Sequence, residues 1–362
     1  MVRSHNTALV LGLLRDAGAE GISRLELAER TGLTPQAVSK ITARLREEGL
    51  AAEAGRRAST GGKPRTVLRL VPEAGHAVGV HLDRDELRVV LVDLDGAVVG
   101  ERRAGLDLGA GAEAVLGAVV GVVEGVVRDG LGLGAEGLAG AGTLLGVGVA
   151  LPGPLDHARG VLHRVTGFPE WDGFPLRDAL GERLGVPVVV DKDTNAAALG
   201  LAVGGEGGSF AYLHLGTGLG AGLVIGGRVH RGARTGAGEF GHQVIQLDGP
   251  LCECGNRGCV EVLCLAAVAR GETGEAARVL GVGAGNLAGL LDIEGVLLGG
   301  RTIAGAPGVF VRGVDEVLQA RARREGVRGK PVPVRVAPRG ERVVAEGAAQ
   351  LLLAPVFGRG DA

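Results

Sequence analysis

Aromatic residues are scarce in this chain: six Phe, one Trp and one Tyr are spread over 362 residues. Hydrophobic residues still make up 46% of the sequence, so the core must be built mainly from aliphatic side chains. This balance is typical of a globular protein and argues against intrinsic disorder. Because 362 residues exceed what one hydrophobic core usually organises, we expect a small head and a larger body.

Long hydrophobic runs are missing as well. An uncharged stretch of nearly membrane-span length, 137–155, contains six glycines and two prolines, which indicates a buried strand and a turn rather than a span. The first seven residues do not form an apolar stretch that leads to a small-residue cleavage site, as a secretory signal would. We therefore expect a cytoplasmic protein with no membrane partner.

The chain has no large excess of charge of either sign. Its formal net charge of −2 argues against strong nonspecific attraction to nucleic acid or to acidic membranes. The distribution is uneven, however: residues 1–72 carry twelve Lys and Arg against seven Asp and Glu, and the remainder carries 27 against 34. The basic side chains are therefore concentrated in the predicted head.

The cysteine content is low, and all four cysteines lie between residues 252 and 264. In a chain predicted to be cytoplasmic, this clustering favours a metal site over a disulfide framework. Three thiolates and one imidazole complete a tetrahedral zinc ion and leave no open position for water, which indicates a structural Zn²⁺ site. The predicted ligands are His242, Cys252, Cys254 and Cys259. The alternative is a set of reduced cysteines without metal; Cys264 lies in an apolar context and is interpreted as a core residue.

Three short helices are predicted at the N-terminus. Apolar residues recur at helical spacing between residues 6 and 16. Ser23 with Glu26 resembles a capping box that opens a second helix. After a glycine turn, Thr34 with Pro35 forms a cap and first-turn pair that opens a third helix. The segment therefore predicts a helix-turn-helix.

The third predicted helix, 35–48, has the features of a DNA-recognition helix. Its apolar positions face inward, and its polar side chains, Thr42 among them, are expected on other faces. The N-terminal residues of such a helix approach base edges and phosphates in the major groove. The candidates for DNA contact are Thr34, Gln36, Ser39, Lys40 and Arg44.

A polar, basic stretch after this helix leads into alternating apolar residues at 67–70, which predicts a strand pair with a connecting loop. Its tip is slim and positively charged, so we expect Lys63 and Arg65 to enter a minor groove, with phosphate contact as the weaker alternative. The helices and hairpin together predict a winged helix-turn-helix. The alternative is a protein-interaction module of the same shape.

The body opens with strand-rich sequence. Two strands, 77–82 and 87–94, are predicted as a hairpin closed by the turn at Asp95-Gly96. Residues 211–229 predict another strand, a glycine turn and a strand; no helix follows directly, which excludes a Rossmann dinucleotide motif. Glycines at such a turn let backbone N–H groups approach a phosphate or a sugar closely.

Several segments of the chain, taken in order, resemble one known family. They are the Gly61-Gly-Lys-Pro-Arg wing, Leu151-Pro-Gly-Pro, Asp193-Thr-Asn-Ala-Ala-Ala, Gly216-Thr-Gly-Leu-Gly, Gly238-Glu-Phe-Gly-His, the cysteine segment and Leu298-Gly-Gly. On these motifs the chain resembles the ROK family of repressors and sugar kinases over nearly its whole length. The resemblance implies an α/β protein with a winged helix-turn-helix domain at 1–72. A two-lobed, actin-like ATPase domain of the sugar kinase type would follow at 73–362, with a zinc-binding segment at 242–259.

The resemblance also implies a sugar site. Carboxylates and an imidazole can orient several sugar hydroxyls at once, and Glu239, His242 and Glu261 match the family residues that do so. Asp193 matches the general base of the family's kinases, which takes the proton from the attacking sugar hydroxyl. Lys192 stands where sugar-binding members usually carry asparagine. It could donate to a hydroxyl, favour an acidic or phosphorylated sugar, or pair with Asp191 or Asp193.

The chain departs from the family's kinases where they bind phosphate. Their Asp-x-Gly-Gly-Thr hairpin is replaced by His81-Leu82-Asp83-Arg84-Asp85, which lacks the glycines and adds negative charge near a triphosphate. We therefore expect negligible ATP binding, no enzymatic activity and only a vestigial base in Asp193. Phe168 also replaces an asparagine that is common in the family, and the stretch 261–298 is shorter than the family norm.

These observations predict a transcriptional repressor that binds operator DNA as a homodimer or tetramer and is released by a sugar or sugar phosphate. Genes of sugar metabolism are its expected targets. One alternative is an ATP-dependent sugar kinase, which Asp193 and Gly216-Thr-Gly would serve. A second alternative is a DNA-binding dimer whose body binds no ligand.

Overall fold

The computed structural model describes residues 4–57, 65–133, 138–163, 165, 168–326 and 331–359. The head comes first and contains three helices and a three-stranded sheet of order β1-β3-β2. Its elements, in chain order, are α1 (His5–Asp16), β1 (Ile22–Ser23), α2 (Arg24–Thr31), α3 (Pro35–Glu47), β2 (Ala51–Arg57) and β3 (Arg65–Leu70). The predicted winged helix-turn-helix is confirmed.

The caps of the head helices form as predicted. The Ser23 hydroxyl accepts from the backbone N–H of Glu26, and the Glu26 carboxylate accepts from that of Ser23, which completes a capping box. Thr34 caps α3 in the same way, with Pro35 at its first position. The prediction for Thr42 is wrong, because its side chain is buried. Burial is tolerated since the hydroxyl donates to the carbonyl of Val38 one turn back, at 2.9 Å.

The first lobe of the body is a five-stranded sheet of order β10-β7-β4-β5-β6. It is mixed: β4, β5 and β6 form an antiparallel meander, whereas β7 and β10 run parallel to β4. Its elements are β4 (His76–Leu82), β5 (Glu86–Asp93), β6 (Val98–Gly105), α4 (Ala112–Leu131), β7 (Leu144–Leu151), β8 (Leu155–Asp156), β9 (Val161–Leu162), α5 (Leu176–Leu184) and β10 (Val188–Lys192).

One turn in this lobe differs from the prediction. The β4–β5 hairpin is closed by residues 83–85, where the N–H of Asp83 donates to the carbonyl of Glu86. The Asp95-Gly96 turn instead closes the following hairpin, between β5 and β6. An Asp-Gly pair marks a turn but does not say which two strands the turn connects.

The second lobe is a five-stranded sheet of order β13-β12-β11-β14-β15. An apolar core joins this sheet to the surrounding helices. Including the helix α6 that leads into it, the elements are α6 (Asp193–Val203), β11 (Phe210–Leu215), β12 (Leu219–Ile225), β13 (Arg228–Val229), α7 (Val260–Ala269), α8 (Thr273–Leu291), β14 (Gly295–Gly299), α9 (Arg301–Gly305), α10 (Pro307–Glu325) and β15 (Val334–Val336).

Two helices lie between the sheets: α6 packs on β11 and β12, and the last helix, α11 (Val343–Val356), packs on α6 and on β4 and β7. Glycine makes this close packing possible. A Cβ on Gly347 of α11 would lie 2.0 Å from the carbonyl oxygen of Ala196 in α6, and one on Gly79 of β4 would lie 1.9 Å from that of Ala345.

The head shares a core with the first lobe. Leu11 and Leu14 of α1 belong to the same buried cluster as Leu94 after β5 and Leu353 and Phe357 of the C-terminal region. The boundary predicted at residue 72 stays a prediction, because the apolar contacts continue across it. No helix within the described ranges is both long and apolar enough to span a membrane.

Candidate functional site

A cleft that is open to solvent lies where the two lobes meet. The C-terminal end of β10, the start of α6, the β11–β12 turn and the segment around residue 240 form its walls. The five residues that the sequence predicted as sugar ligands all line it: Lys192, Asp193, Glu239, His242 and Glu261. They come from segments up to 69 positions apart, so the fold brings together what the motifs alone could only list.

Lys192 ends β10 and is almost fully buried. Its Nζ donates to the carbonyl oxygen of Ala237 at 2.8 Å and to Oε1 of Glu239 at 2.7 Å. The suggested pairing of its side chain with Asp191 or Asp193 is therefore wrong, because Glu239 is the carboxylate within reach. The pair is asymmetric: the side chain of Lys192 is 4% exposed and that of Glu239 is 44% exposed.

Asp193 is the first residue of α6 and is half-buried in the cleft. Desolvation by the surrounding protein raises its pKa to about 7, although the hydrogen bond from the backbone N–H of Thr194 lowers it. The negative charges of Asp83 and Glu239 raise the pKa further, and Lys192 lowers it. Asp193 thus exchanges a proton near neutral pH, as a general base or a pH-sensitive hydroxyl ligand would.

Glu261 and His242 lie together on another side of the cleft. Oε2 of Glu261 accepts from the backbone N–H of Leu219 at 2.7 Å, so the β11–β12 turn fixes this carboxylate. Its Oε1 is 4.0 Å from Nδ1 of His242. The same ring nitrogen is 3.7 Å from Sγ of Cys252, so His242 connects the cleft with the cysteine segment.

His242, Cys252, Cys254 and Cys259 form a possible metal-binding cluster, with all four ligand atoms within 4.8 Å of one another. The Sγ atoms of Cys254 and Cys259 are 3.7 Å apart. Zn–S bonds of about 2.3 Å in a tetrahedron place two sulfurs about 3.8 Å apart, so the donor set fits such an ion. Cys264 lies apart from this cluster: it is fully buried in the core of the second lobe, and burial raises the pKa of its thiol to about 12.

Residues 83–85, which the resemblance aligns with the phosphate hairpin of the family's kinases, make contacts of their own. Oδ1 of Asp83 accepts from the Thr217 hydroxyl at 3.0 Å, which joins the β4–β5 turn to the β11–β12 turn. Asp85 pairs with NH1 of Arg301 at 2.8 Å. The guanidinium carbon of Arg84 lies 5.7 Å from the centre of the Phe168 ring. In that alignment Asp83 and Arg84 stand where the kinase pattern has glycines, and Asp85 stands where it has threonine.

Sequence reasoning missed two contacts that hold the segment 230–239 against the first lobe. Nε of Arg231 donates to Oδ2 of buried Asp191 at 2.7 Å. Nδ1 of His157 and the Thr235 hydroxyl are 2.8 Å apart. Their partners are 40 and 78 positions apart, and no local pattern marks them. Thr235 also has a φ of 55°, which is rare for a β-branched residue.

The predicted DNA-contacting side chains form one exposed surface on α3. Thr34, Gln36, Ser39, Lys40 and Arg44 are all exposed. Arg44 pairs with Glu48 at 3.2 Å on the same helix, so it is less available than Lys40. Arg65 is exposed at the start of β3, whereas Lys63 lies outside the described residues.

Comparison with known proteins agrees with this architecture. The ROK family model matches residues 78–269, and a model described as winged helix-turn-helix DNA-binding matches residues 8–51. A putative xylose repressor of Caldicellulosiruptor sp. (strain Rt8B.4) is 31% identical over 264 residues, which are 72% of this chain and 64% of that protein. The chain thus spans less than two thirds of that relative's length.

Two solved structures have the same fold. The crystal structure of a ROK family transcriptional regulator, a homologue of the Escherichia coli MLC protein, superposes with a TM-score of 0.75 at 21% identity and covers 98% of both chains. The ROK hexokinase from Thermus thermophilus superposes with a TM-score of 0.59 at 28% identity and covers 78% of this chain and 99% of its own. The predicted winged helix-turn-helix and actin-like sugar kinase fold are thus confirmed, and the chain belongs to the ROK family.

Proposed function

We propose that this chain is a transcriptional repressor that binds operator DNA through its head and is released when a sugar or sugar phosphate binds in its cleft. One observation carries the proposal: a winged head with an exposed polar and basic helix face shares its core with a body whose cleft collects five candidate sugar ligands. Sugar-metabolism genes are the expected targets, and the predicted cytoplasmic location is part of the same proposal.

In this proposal α3 enters the major groove. Gln36 and Ser39 contact base edges or phosphates, Thr34 meets a phosphate at the helix start, and Lys40 and Arg44 contribute positive charge. Arg65 begins the strand that follows the wing tip and would reach the minor groove together with Lys63. Affinity should fall with rising salt, because neutralised phosphates release counterions.

The cleft would hold the sugar by hydrogen bonds to its hydroxyl groups. Glu239, Glu261 and His242 would orient several hydroxyls, Asp193 would accept from one hydroxyl, and Lys192 would donate. A structural Zn²⁺ held by His242, Cys252, Cys254 and Cys259 would fix the ring of His242 in place. In its absence we expect the segment 242–259 to lose order, because most of its other hydrogen bonds lie within the segment itself.

The packing of the body suggests how a bound sugar would reach the head. Helix α6 starts in the cleft at Asp193 and packs along its length on α11. Just beyond the C-terminal end of α11, Arg359 donates to Oδ1 of Asp16 in α1 at 2.7 Å and to the carbonyl oxygen of Val203, the last residue of α6, at 3.2 Å. A movement of α6 on ligand binding would therefore alter the Arg359 contacts that connect α6 with α1 of the head.

The second candidate function is an ATP-dependent sugar kinase. Asp193 favours this function, because the raised pKa of its carboxyl group suits a general base. Against it stands the replaced hairpin, in which the carboxylate of Asp83 contacts the Thr217 hydroxyl where a triphosphate would need donors. We therefore propose that the chain is not an enzyme. ADP release that depends on added sugar and disappears in Asp193→Ala would establish the kinase instead.

The oligomeric state is also part of the proposal. A helix-turn-helix dimer reads two half-sites about one helical turn apart, so we propose a homodimer or a tetramer that grips a roughly palindromic operator. The remaining alternative, a DNA-binding dimer without a ligand, predicts no thermal shift with any monosaccharide. A shift that is lost in Glu239→Ala would exclude that alternative.

The test is a titration of the purified protein with DNA from upstream of its own coding sequence, at several salt concentrations. We expect specific binding to this DNA. Gln36→Ala should reduce the binding free energy by about 1–3 kcal/mol and relax the sequence preference at the base pairs that Gln36 contacts. Lys40→Ala should weaken binding to all sequences and reduce the salt dependence. Arg312→Gln, which removes an exposed charge from α10 in the second lobe, is the matched control. Absence of any sequence preference would contradict the proposal.

A further inference from the structure

Two departures from the family pattern meet in the structure. Arg84 stands in the replaced phosphate hairpin, and Phe168 stands where asparagine is common. The guanidinium carbon of Arg84 lies 5.7 Å from the centre of the Phe168 ring, although the two residues are far apart in the sequence. An aromatic face at this distance attracts a guanidinium and restricts its orientation. Arg84 is half-buried and lines the cleft.

The guanidinium of Arg84 is a positive charge in the cleft that has no counter-ion among the described residues. Throughout the described part of the chain, no hydrogen bond or ion pair involves this side chain. Its acidic neighbours are engaged elsewhere: Asp83 accepts from Thr217 and from the backbone N–H of Arg84 itself, and Asp85 pairs with Arg301. A partly buried cation without a counter-ion carries a desolvation cost that a bound anion would offset.

The other charged groups of the cleft leave this role to Arg84. Lys192 is already held by Glu239 and the carbonyl of Ala237. The turn 216–219 contacts two parts of the cleft wall: its Thr217 donates to Asp83, the residue before Arg84, and the N–H of its Leu219 donates to Glu261. The same turn therefore connects Glu261, a candidate hydroxyl ligand, with the segment that carries the unpaired guanidinium.

We propose that the effector is a monosaccharide with an anionic substituent, a phosphate or a carboxylate, and that Arg84 binds this group while Phe168 holds the guanidinium. The planar fork of arginine can donate two parallel hydrogen bonds to either group. The inference rests on the proposed sugar-sensing function and deepens it, because it names the chemical class of the effector. It also gives the replaced hairpin a role in place of nucleotide binding.

The test is isothermal titration of the full chain at fixed ionic strength with matched compounds. Glucose and N-acetylglucosamine are each compared with their 6-phosphates, and xylose and glucose are both compared with glucuronate. We expect the charged member of at least one set to bind at least tenfold more tightly than the neutral one. Arg84→Gln should remove this preference, Phe168→Leu should reduce it, and Arg84→Lys, which keeps the charge without the fork, should keep only part of it. Arg312→Gln should leave the preference intact.

The phosphate and carboxylate arms show which anion the site takes. Equal affinity for neutral and charged members, or a preference that survives in Arg84→Gln, would overturn the inference while the sensing function stands. If no sugar of either kind binds, the sensing function itself fails, and the inference fails with it.

Discussion

Asp193 is the single residue whose ionisation state matters most for the cleft. Its position at the start of α6 gives its carboxylate one backbone N–H partner, that of Thr194, and places it near the charges of Asp83 and Glu239. Because burial raises its pKa to about 7, the proton stays on the folded protein over a pH range in which the unfolded chain has already lost it.

This shift predicts a pH dependence of stability. Between the unfolded pKa near 4 and the folded pKa near 7, the folded state binds more protons, so the free energy of unfolding should fall as the pH rises through this range. Relative to Asp193→Asn, we expect the wild type to lose up to about 4 kcal/mol between pH 4 and pH 8. Urea unfolding of both proteins at several pH values measures this. A stability difference that does not change with pH would show that the pKa is not raised.

The pair formed by Lys192 and Glu239 should be energetically asymmetric. Removal of Glu239 leaves a nearly buried ammonium without a counter-charge, so Glu239→Ala should cost about 3–5 kcal/mol. Removal of the ammonium leaves a carboxylate that is 44% exposed and can be hydrated. Lys192→Met should therefore cost less, about 1–2 kcal/mol. Denaturant unfolding of both variants gives the order, and a costlier Lys192→Met would show that the pair is not arranged as described.

Helices α6 and α11 are the elements that set the distance between the lobes. Gly347→Ala should push them apart, because its Cβ would lie 2.0 Å from the carbonyl oxygen of Ala196. We expect a loss of about 3 kcal/mol or more. Gly117→Ala, on the exposed face of α4 with no atom near the new Cβ, is the control and should gain about 0.5–1 kcal/mol from helix propensity. Thermal unfolding distinguishes the two, and equal effects would contradict the close packing.

The cysteine segment should depend on metal as a unit. We expect one Zn²⁺ per chain by elemental analysis, lost in Cys259→Ser and retained in Cys264→Ser, because Cys264 is buried outside the cluster. Removal of the metal should lower the melting temperature and weaken any sugar response, since His242 belongs to both the cluster and the cleft. Protein purified without metal but with unchanged melting would favour reduced cysteines instead.

Local chemistry accounts for the parts of these elements that the sequence could predict. The Ser23–Glu26 box and the Thr34-Pro35 start depend on residues within one helical turn, and both formed as expected. The β4–β5 turn was missed, because an Asp-Gly pair does not specify which strands it connects. The burial of Thr42 was missed, because a threonine hydroxyl can either face solvent or bond to its own helix. The contact between Arg84 and Phe168 could not be predicted at all, since nothing local relates a turn in one sheet to a distant loop.

For the whole molecule, the central question is whether the cleft and the head are coupled. The head packs directly on the body. Helix α1 shares an apolar cluster with β5 and α11, and Arg359 contacts both Asp16 of α1 and the end of α6. A ligand can shift the head only if it binds two arrangements of the lobes with different affinity. The candidate ligands that the resemblance implied all line one cleft, and their role as ligands stays a prediction. The link to the head becomes visible only in the packing.

The most direct test of this account is the affinity of the full chain for its own upstream DNA at fixed salt, measured with and without a panel of sugars and sugar phosphates. We expect tight, specific binding that one compound weakens at least tenfold in the wild type but not in Glu239→Ala. Specific binding that no compound changes would contradict the coupling and favour the ligand-independent dimer. The absence of specific binding would contradict the proposed repressor function and favour the alternative of an ATP-dependent sugar kinase.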